Sequence, residues 1–104
     1  MEPIITRLWH GVTLEKKSDA YLDFLLNKGT SDYRSTPGII GIHIWRTVNE
    51  HVAHFRTVTT WDSLNSVKKF TGGDHHRAIY YPEDKEFLLE FEPRVEHFET
   101  FVVK

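Results

Sequence analysis

Ile39-Ile40-Gly41-Ile42-His43-Ile44-Trp45-Arg46-Thr47, then Val48-Asn49-Glu50-His51, then Val52-Ala53-His54-Phe55-Arg56-Thr57-Val58-Thr59-Thr60-Trp61 is the stretch on which the fold turns. Two runs rich in β-branched and aromatic residues flank a short polar segment, and that pattern predicts a β-hairpin. On its N-terminal side Pro37-Gly38 ends a connection over residues 30–38. Before it, Leu14, Tyr21, Leu22, Leu25 and Leu26 recur at helical spacing across residues 14–27, with Ser18 on the same stripe and Lys28-Gly29 as a cationic, glycine-terminated end. Ile4 to His10 reads as a strand closed by Gly11. On the C-terminal side Asp62 is the expected cap of a second helix with Leu64, Val67 and Phe70 inside, ended by Gly72-Gly73. Asp74 opens a further short helix to about Tyr81, and residues 83–91 add a helical turn with Phe87, Leu88 and Phe91 turned inward. Pro93 then precedes a last strand, Arg94 to Val103.

The order is β-α-β-β-α-β. It predicts a single α+β domain over residues 1–104, ferredoxin-like, with both helices on one face of a four-stranded antiparallel sheet. A sheet with one wet face alternates apolar with polar residues. Here Ile39, Ile40, Ile42, Ile44 and Trp45 fall on both faces of the second strand, and Val95, Phe98, Phe101, Val102 and Val103 do the same in the last. One face has helices to cover it; the other needs a cover too. A second copy of the same sheet supplies it, so a homodimer is expected.

Composition removes several function classes. There are no cysteines, which excludes disulfides, thiolate nucleophiles and Cys-zinc sites. A net charge of -2 with scattered Lys and Arg argues against nucleic acid as a partner. No apolar run approaches the roughly 20 residues that span a bilayer. The opening Met-Glu-Pro-Ile-Ile-Thr-Arg lacks the pattern of a signal peptide, so a cytoplasmic location is the default expectation. No metal site is readable. His51 and His54 sit three apart on a strand and face opposite ways, while adjacent His75 and His76 on a helix would point about 100° apart. Seven histidines and fourteen aromatic residues are nonetheless many for so small a core, and the surplus points to a cavity or an oligomer interface.

Four stretches carry a family resemblance: Ile4-Ile5-Thr6-Arg7-Leu8-Trp9-His10-Gly11, Thr36-Pro37-Gly38-Ile39-Ile40-Gly41, Thr59-Thr60-Trp61-Asp62-Ser63-Leu64 and Pro93-Arg94-Val95-Glu96-His97-Phe98-Glu99. Across nearly its whole length the chain resembles an antibiotic-biosynthesis-monooxygenase domain of the dimeric α/β-barrel group. The resemblance implies a pocket between each sheet and its helices. Some members oxidise polycyclic aromatic substrates with oxygen and no metal or flavin, and others degrade haem.

Cofactor-free oxygenation needs aromatic walls, a base and a hydrogen-bond donor to a developing substrate anion. The expected catalytic residues are His10, His97, Trp61 and Arg7, with Trp61 as a pocket wall and a histidine as base. Trp9, Tyr33, Arg34, His43, His76 and Tyr80 are the expected substrate-binding residues. No cofactor is expected; the alternative readings are a haem-binding or haem-degrading protein and a non-catalytic homodimer that binds a small molecule. In the haem degraders a helical histidine after the Trp segment binds iron and an asparagine on the first strand assists. Those positions fall here near Tyr80, with His75 and His76 upstream, and at Trp9 or His10, so the chain departs from that pattern at both.

Overall fold

The computed structural model describes residues 3–104; of the expected domain, residues 1 and 2 lie outside the described residues. Strand β1 (Ile4–Leu14) leads through a 3-10 turn into helix α1 (Ser18–Phe24), a π-helical turn (Leu25–Gly29) and a short helix α2 (Ser31–Ser35). The hairpin β2 (Ile39–Asn49) and β3 (Val52–Trp61) follows, then helix α3 (Leu64–Thr71), a 3-10 turn (Pro82–Glu86) and strand β4 (Glu96–Thr100). The sheet order is β2-β3-β1-β4 and all three pairings are antiparallel. This is the ferredoxin-like α+β fold expected from the pattern.

The hairpin closes on Glu50-His51, both in the left-handed region at φ 49° and 73°, the geometry whose twist suits flanking strands. A bulge between Ile39 and Gly41 sets two residues of β2 against one of β3. It lets both Ile39 and Ile42 pack on the helix side, while Ile40 is left exposed. At α3 the cap is Ser63 rather than Asp62. Its Oγ accepts from Ser66 N–H, and the Asp62 carboxylate accepts from the Ser63 and Ser66 hydroxyls. The helix ends at Gly72 with φ 79°, as a C-terminal glycine should.

Several boundaries differ from expectation. β1 continues through Gly11 to Leu14, because the Trp9 indole lies over Gly11 where a Cβ would stand 2.3 Å from the ring. The stripe over residues 14–27 buries Ser18, Tyr21 and Leu25, while Leu26 turns to solvent within the π-helical turn. No helix forms over residues 74–81. Asp74 instead accepts the His76 N–H, and residues 76–78 pair with the chain at 93–95 through Ala78 N–H to Pro93 O and Val95 N–H to His76 O, both 2.9 Å. That pairing delays β4 to Glu96, and residues 101–104 project beyond it, exposed. Phe87 and Leu88 pack inward, but Phe91 is exposed.

The helices cover one face. There Trp9, Tyr21, Leu25, Phe55, Leu88 and Val95 form one apolar cluster, and Ile5, Tyr33, Trp61 and Val67 a second. β4 pairs with β1 only as far as Leu8. Farther along β1 the chain near Leu88 takes its place, with Leu89 N–H donating to Val12 O at 2.9 Å.

Candidate functional site between the sheet and its helices

Alternation along β1 sends Ile5, Arg7, Trp9 and Gly11 to the helix side. Arg7 is 1% exposed. Its guanidinium donates to His75 O at 3.2 Å and to Arg77 O at 2.9 Å, and lies 5.4 Å from the Phe70 ring centroid. Nε has no partner, and burial holds the group's pKa below its usual value. Arg7 stands opposite His97 in the β1–β4 register. The half-buried His97 ring lies 5.2 Å from His75 and 5.7 Å from His76, and neither of its nitrogens has a partner. Burial first, then the charge of Arg7, pushes the His97 pKa down to about 4, so the ring is neutral near pH 7.

Beside this cluster lies a cavity walled by Trp9, Tyr21, Phe24, Tyr33 and Tyr81, with Leu25 and Gly29 of the π-helical turn. Thr57 and Asp84 are its polar positions. Asp84 is buried, accepting the Tyr21 hydroxyl at 3.0 Å and the Tyr81 N–H at 2.7 Å. Burial raises the Asp84 pKa despite those donors, and raises the Tyr21 and Tyr81 hydroxyls too. The phenols therefore stay protonated at neutral pH, and the carboxyl is a stronger base than a surface aspartate. The Trp9 indole N–H is buried and unpartnered. The cavity holds about 20 Å³, room for a water or so.

The ten expected residues do not meet in one place. Arg7, His97, His76, Trp9, Tyr33 and Tyr80 lie on the helix side. Trp61 lies there too, but wholly buried between Tyr33 and Phe70 with its indole donating to Thr59 Oγ1, so it anchors the core and does not line the cavity. Tyr80 packs edge-on to Trp9, and its hydroxyl donates to Glu92 O at 2.6 Å. Arg34 is exposed and closes the π-helical turn, donating to Thr30 Oγ1 and Asn27 O.

His43 and His10 project from the other side of the sheet. His43 is exposed. His10 Nδ1 donates to the Glu92 carboxylate at 2.5 Å, and its Nε2 is hydrogen-bonded to His54 Nδ1 at 2.9 Å, the rings being stacked 5.2 Å apart. Sequence reasoning missed Tyr21, Thr57, Asp84, Glu92 and His54. Tyr21 was readable only as a stripe residue, and the acidic run 83–86 reads as a solvated turn; nothing local signals that Asp84 folds inward. Among the described residues no three His, Asp or Glu are arranged to hold a metal, and no helix is long and apolar enough to cross a membrane.

No protein-family profile matches the chain, and no curated protein matches it in sequence. Solved structures match it in fold. A Bacillus cereus protein provisionally described as an antibiotic biosynthesis monooxygenase superposes with TM-score 0.66 at 12% identity, covering 98% of this chain and 97% of that one. A Shewanella oneidensis protein gives TM-score 0.69 at 16% identity over 96% and 93%. The haem-degrading protein of Mycobacterium tuberculosis, also solved with two haems in its active site, gives TM-score 0.62 at 15% identity over 98% and 99%. The chain thus shares the fold of these three structures, the ferredoxin-like α+β fold that the sequence pattern leads one to expect.

Proposed function

We propose that this chain is a cofactor-independent monooxygenase-type protein that takes one small aromatic substrate between sheet and helices and acts as a homodimer. The observation that carries this is the cavity of five aromatic rings whose carboxylate, Asp84, is buried with a raised pKa. Aromatic walls exclude water from a flat substrate, and a base tuned upward removes a proton from an acidic carbon or phenol. The resulting anion passes electrons to dioxygen. A substrate CH2 becoming C=O while O2 gives one water is a four-electron exchange, so no outside reductant is needed.

An engineered apolar cavity of about 150 Å³ is what benzene occupies, so the wall must give way for a substrate. The π-helical turn Leu25–Gly29 is that part of the wall, and such turns recur at functional sites. Haem does not fit these residues. The Tyr80 hydroxyl is committed to Glu92 O, and His75 and His76 stand outside the cavity lining, so no side chain in it is placed to ligate iron. No Soret shift is expected on titration with hemin.

Oxygen uptake with anthrone-like or quinol substrates tests the proposal. Uptake should depend on substrate and fall by about a hundredfold in Asp84→Asn, the range for loss of a general base. Equal uptake by wild type and Asp84→Asn, or none with any such substrate, removes it. The dimer is supported by Trp45 and Phe98, 54% and 48% exposed on the sheet face without helices. Light scattering should give twice the chain mass at micromolar concentration, and Trp45→Glu should give the monomer.

A further inference from the structure

Arg7 carries a charge that the protein leaves uncompensated. Arginine stays protonated in proteins, and a cation removed from water costs several kcal/mol unless it is paired. Arg7 is among the most buried side chains, yet among the described residues no carboxylate pairs with it. Two carbonyls and the face of Phe70 are its partners, and all of them are neutral. Around it are three buried nitrogens without hydrogen-bond partners, Arg7 Nε and both ring nitrogens of His97.

The geometry points to a binding site for an anionic oxygen group, a carboxylate or a phosphate, formed by Arg7, His97 and the His75-His76 turn between β1, β4 and the end of α3. Water satisfies an orphan N–H but leaves the charge of Arg7 unneutralised; an oxyanion does both. A metal ion is disfavoured by the neighbouring cations. The charged and titratable groups facing the site are Arg7 and Tyr33 from the sheet and α2 side, Lys68 from α3, and His75, His76, Asp74 and Arg77 from the turn. Only Asp74 is acidic. The site is independent of the oxygenase proposal, since it requires neither oxygen nor the cavity.

Proton linkage gives it a signature. Burial first, and then the charge of Arg7, holds the His97 pKa down; an arriving anion offsets the charge, so binding takes up a proton and tightens as pH falls. Inorganic phosphate and acetate, each titrated against chloride at constant ionic strength, are the probes, with the His97 ring nitrogens and, in every variant, the backbone amides of residues 7, 75–77 and 97 followed by NMR. We expect a saturable change at His97 and affinity rising by up to about tenfold per pH unit on acidification. Saturation by phosphate alone assigns a phosphate group, and by acetate alone a carboxylate. Arg7→Met should fold without anion at least as stably as wild type and lose at least about tenfold in affinity. His97→Gln should still bind but lose the pH dependence. The absence of a saturable change with either anion at tens of millimolar, or unaltered pH dependence in His97→Gln, overturns the proposal even if Arg7→Met does not fold.

Discussion

The two faces of the sheet treat histidine in opposite ways. On the open face His10 is hydrogen-bonded to His54 and to Glu92, although water is at hand to do the same work. On the covered face His97 has no partner for either nitrogen, and it lies opposite a buried arginine without a counter-ion. Selection for stability alone would give the reverse, since an unmet buried polar group costs more than an exposed one. Unmet polarity under the helices, where it is most expensive, therefore marks that side as the one kept for a ligand. The aromatic cavity with its raised-pKa carboxyl lies on the same side.

The sharpest way to break this comparison is through one tryptophan on each face, Trp61 and Trp45. Trp61→Ala removes a wholly buried ring packed on Tyr33 and Phe70 and should cost about 3–5 kcal/mol in urea denaturation. Trp45→Ala, on the open face, should cost under about 1 kcal/mol at dilutions where the chain is monomeric. Comparable losses would mean that the open face is as packed as the covered one. Next in size is Tyr21→Phe, which leaves one Asp84 oxygen without its buried donor. The expected loss is about 1–3 kcal/mol, with the Asp84 pKa moving further up; an unchanged denaturation midpoint would show that the carboxyl is solvated.

The fold was legible because its signals are local and periodic: the hairpin, the stripe Ser18-Tyr21-Leu25 and the glycine at 72 each follow from one stretch of chain. The divided site was not. Placing His10 and His97 on opposite faces requires the β1–β4 register, which depends on a pairing ninety residues apart in sequence. Trp61 reads equally well as wall or anchor until Tyr33 and Phe70 are seen to close over it. Asp84 looks like any acidic turn residue, and only the Tyr21 hydroxyl, brought in by α1, shows why it is buried.

His97 offers a test by pH. Its pKa is lower in the folded chain, at about 4, than the ordinary value of 6.5. The folded state therefore binds fewer protons than the unfolded one between those limits. Stability from this group is fully present above pH 6.5 and is lost as pH falls toward 4. His97→Phe should flatten that acid limb of the stability curve. An acid limb equally steep in the variant would place the linkage elsewhere.

The smallest effect belongs to the open-face network, and it depends on concentration. In Glu92→Gln the carboxylate that orients His10 is lost, while the Tyr80 hydroxyl keeps its bond to the Glu92 position's backbone carbonyl. With the Glu92 side chain 39% exposed, water replaces what is removed, and the monomer should lose less than about 1 kcal/mol. If a second copy covers this face, the same network is desolvated, and removing one partner then leaves an imidazole without its carboxylate. Denaturation of wild type and Glu92→Gln at dilute and concentrated protein should thus show a difference that grows with concentration. A difference that stays small at every concentration would mean that the sheet face remains in water, and the apolar residues on it would then need a cover other than a second copy of this chain.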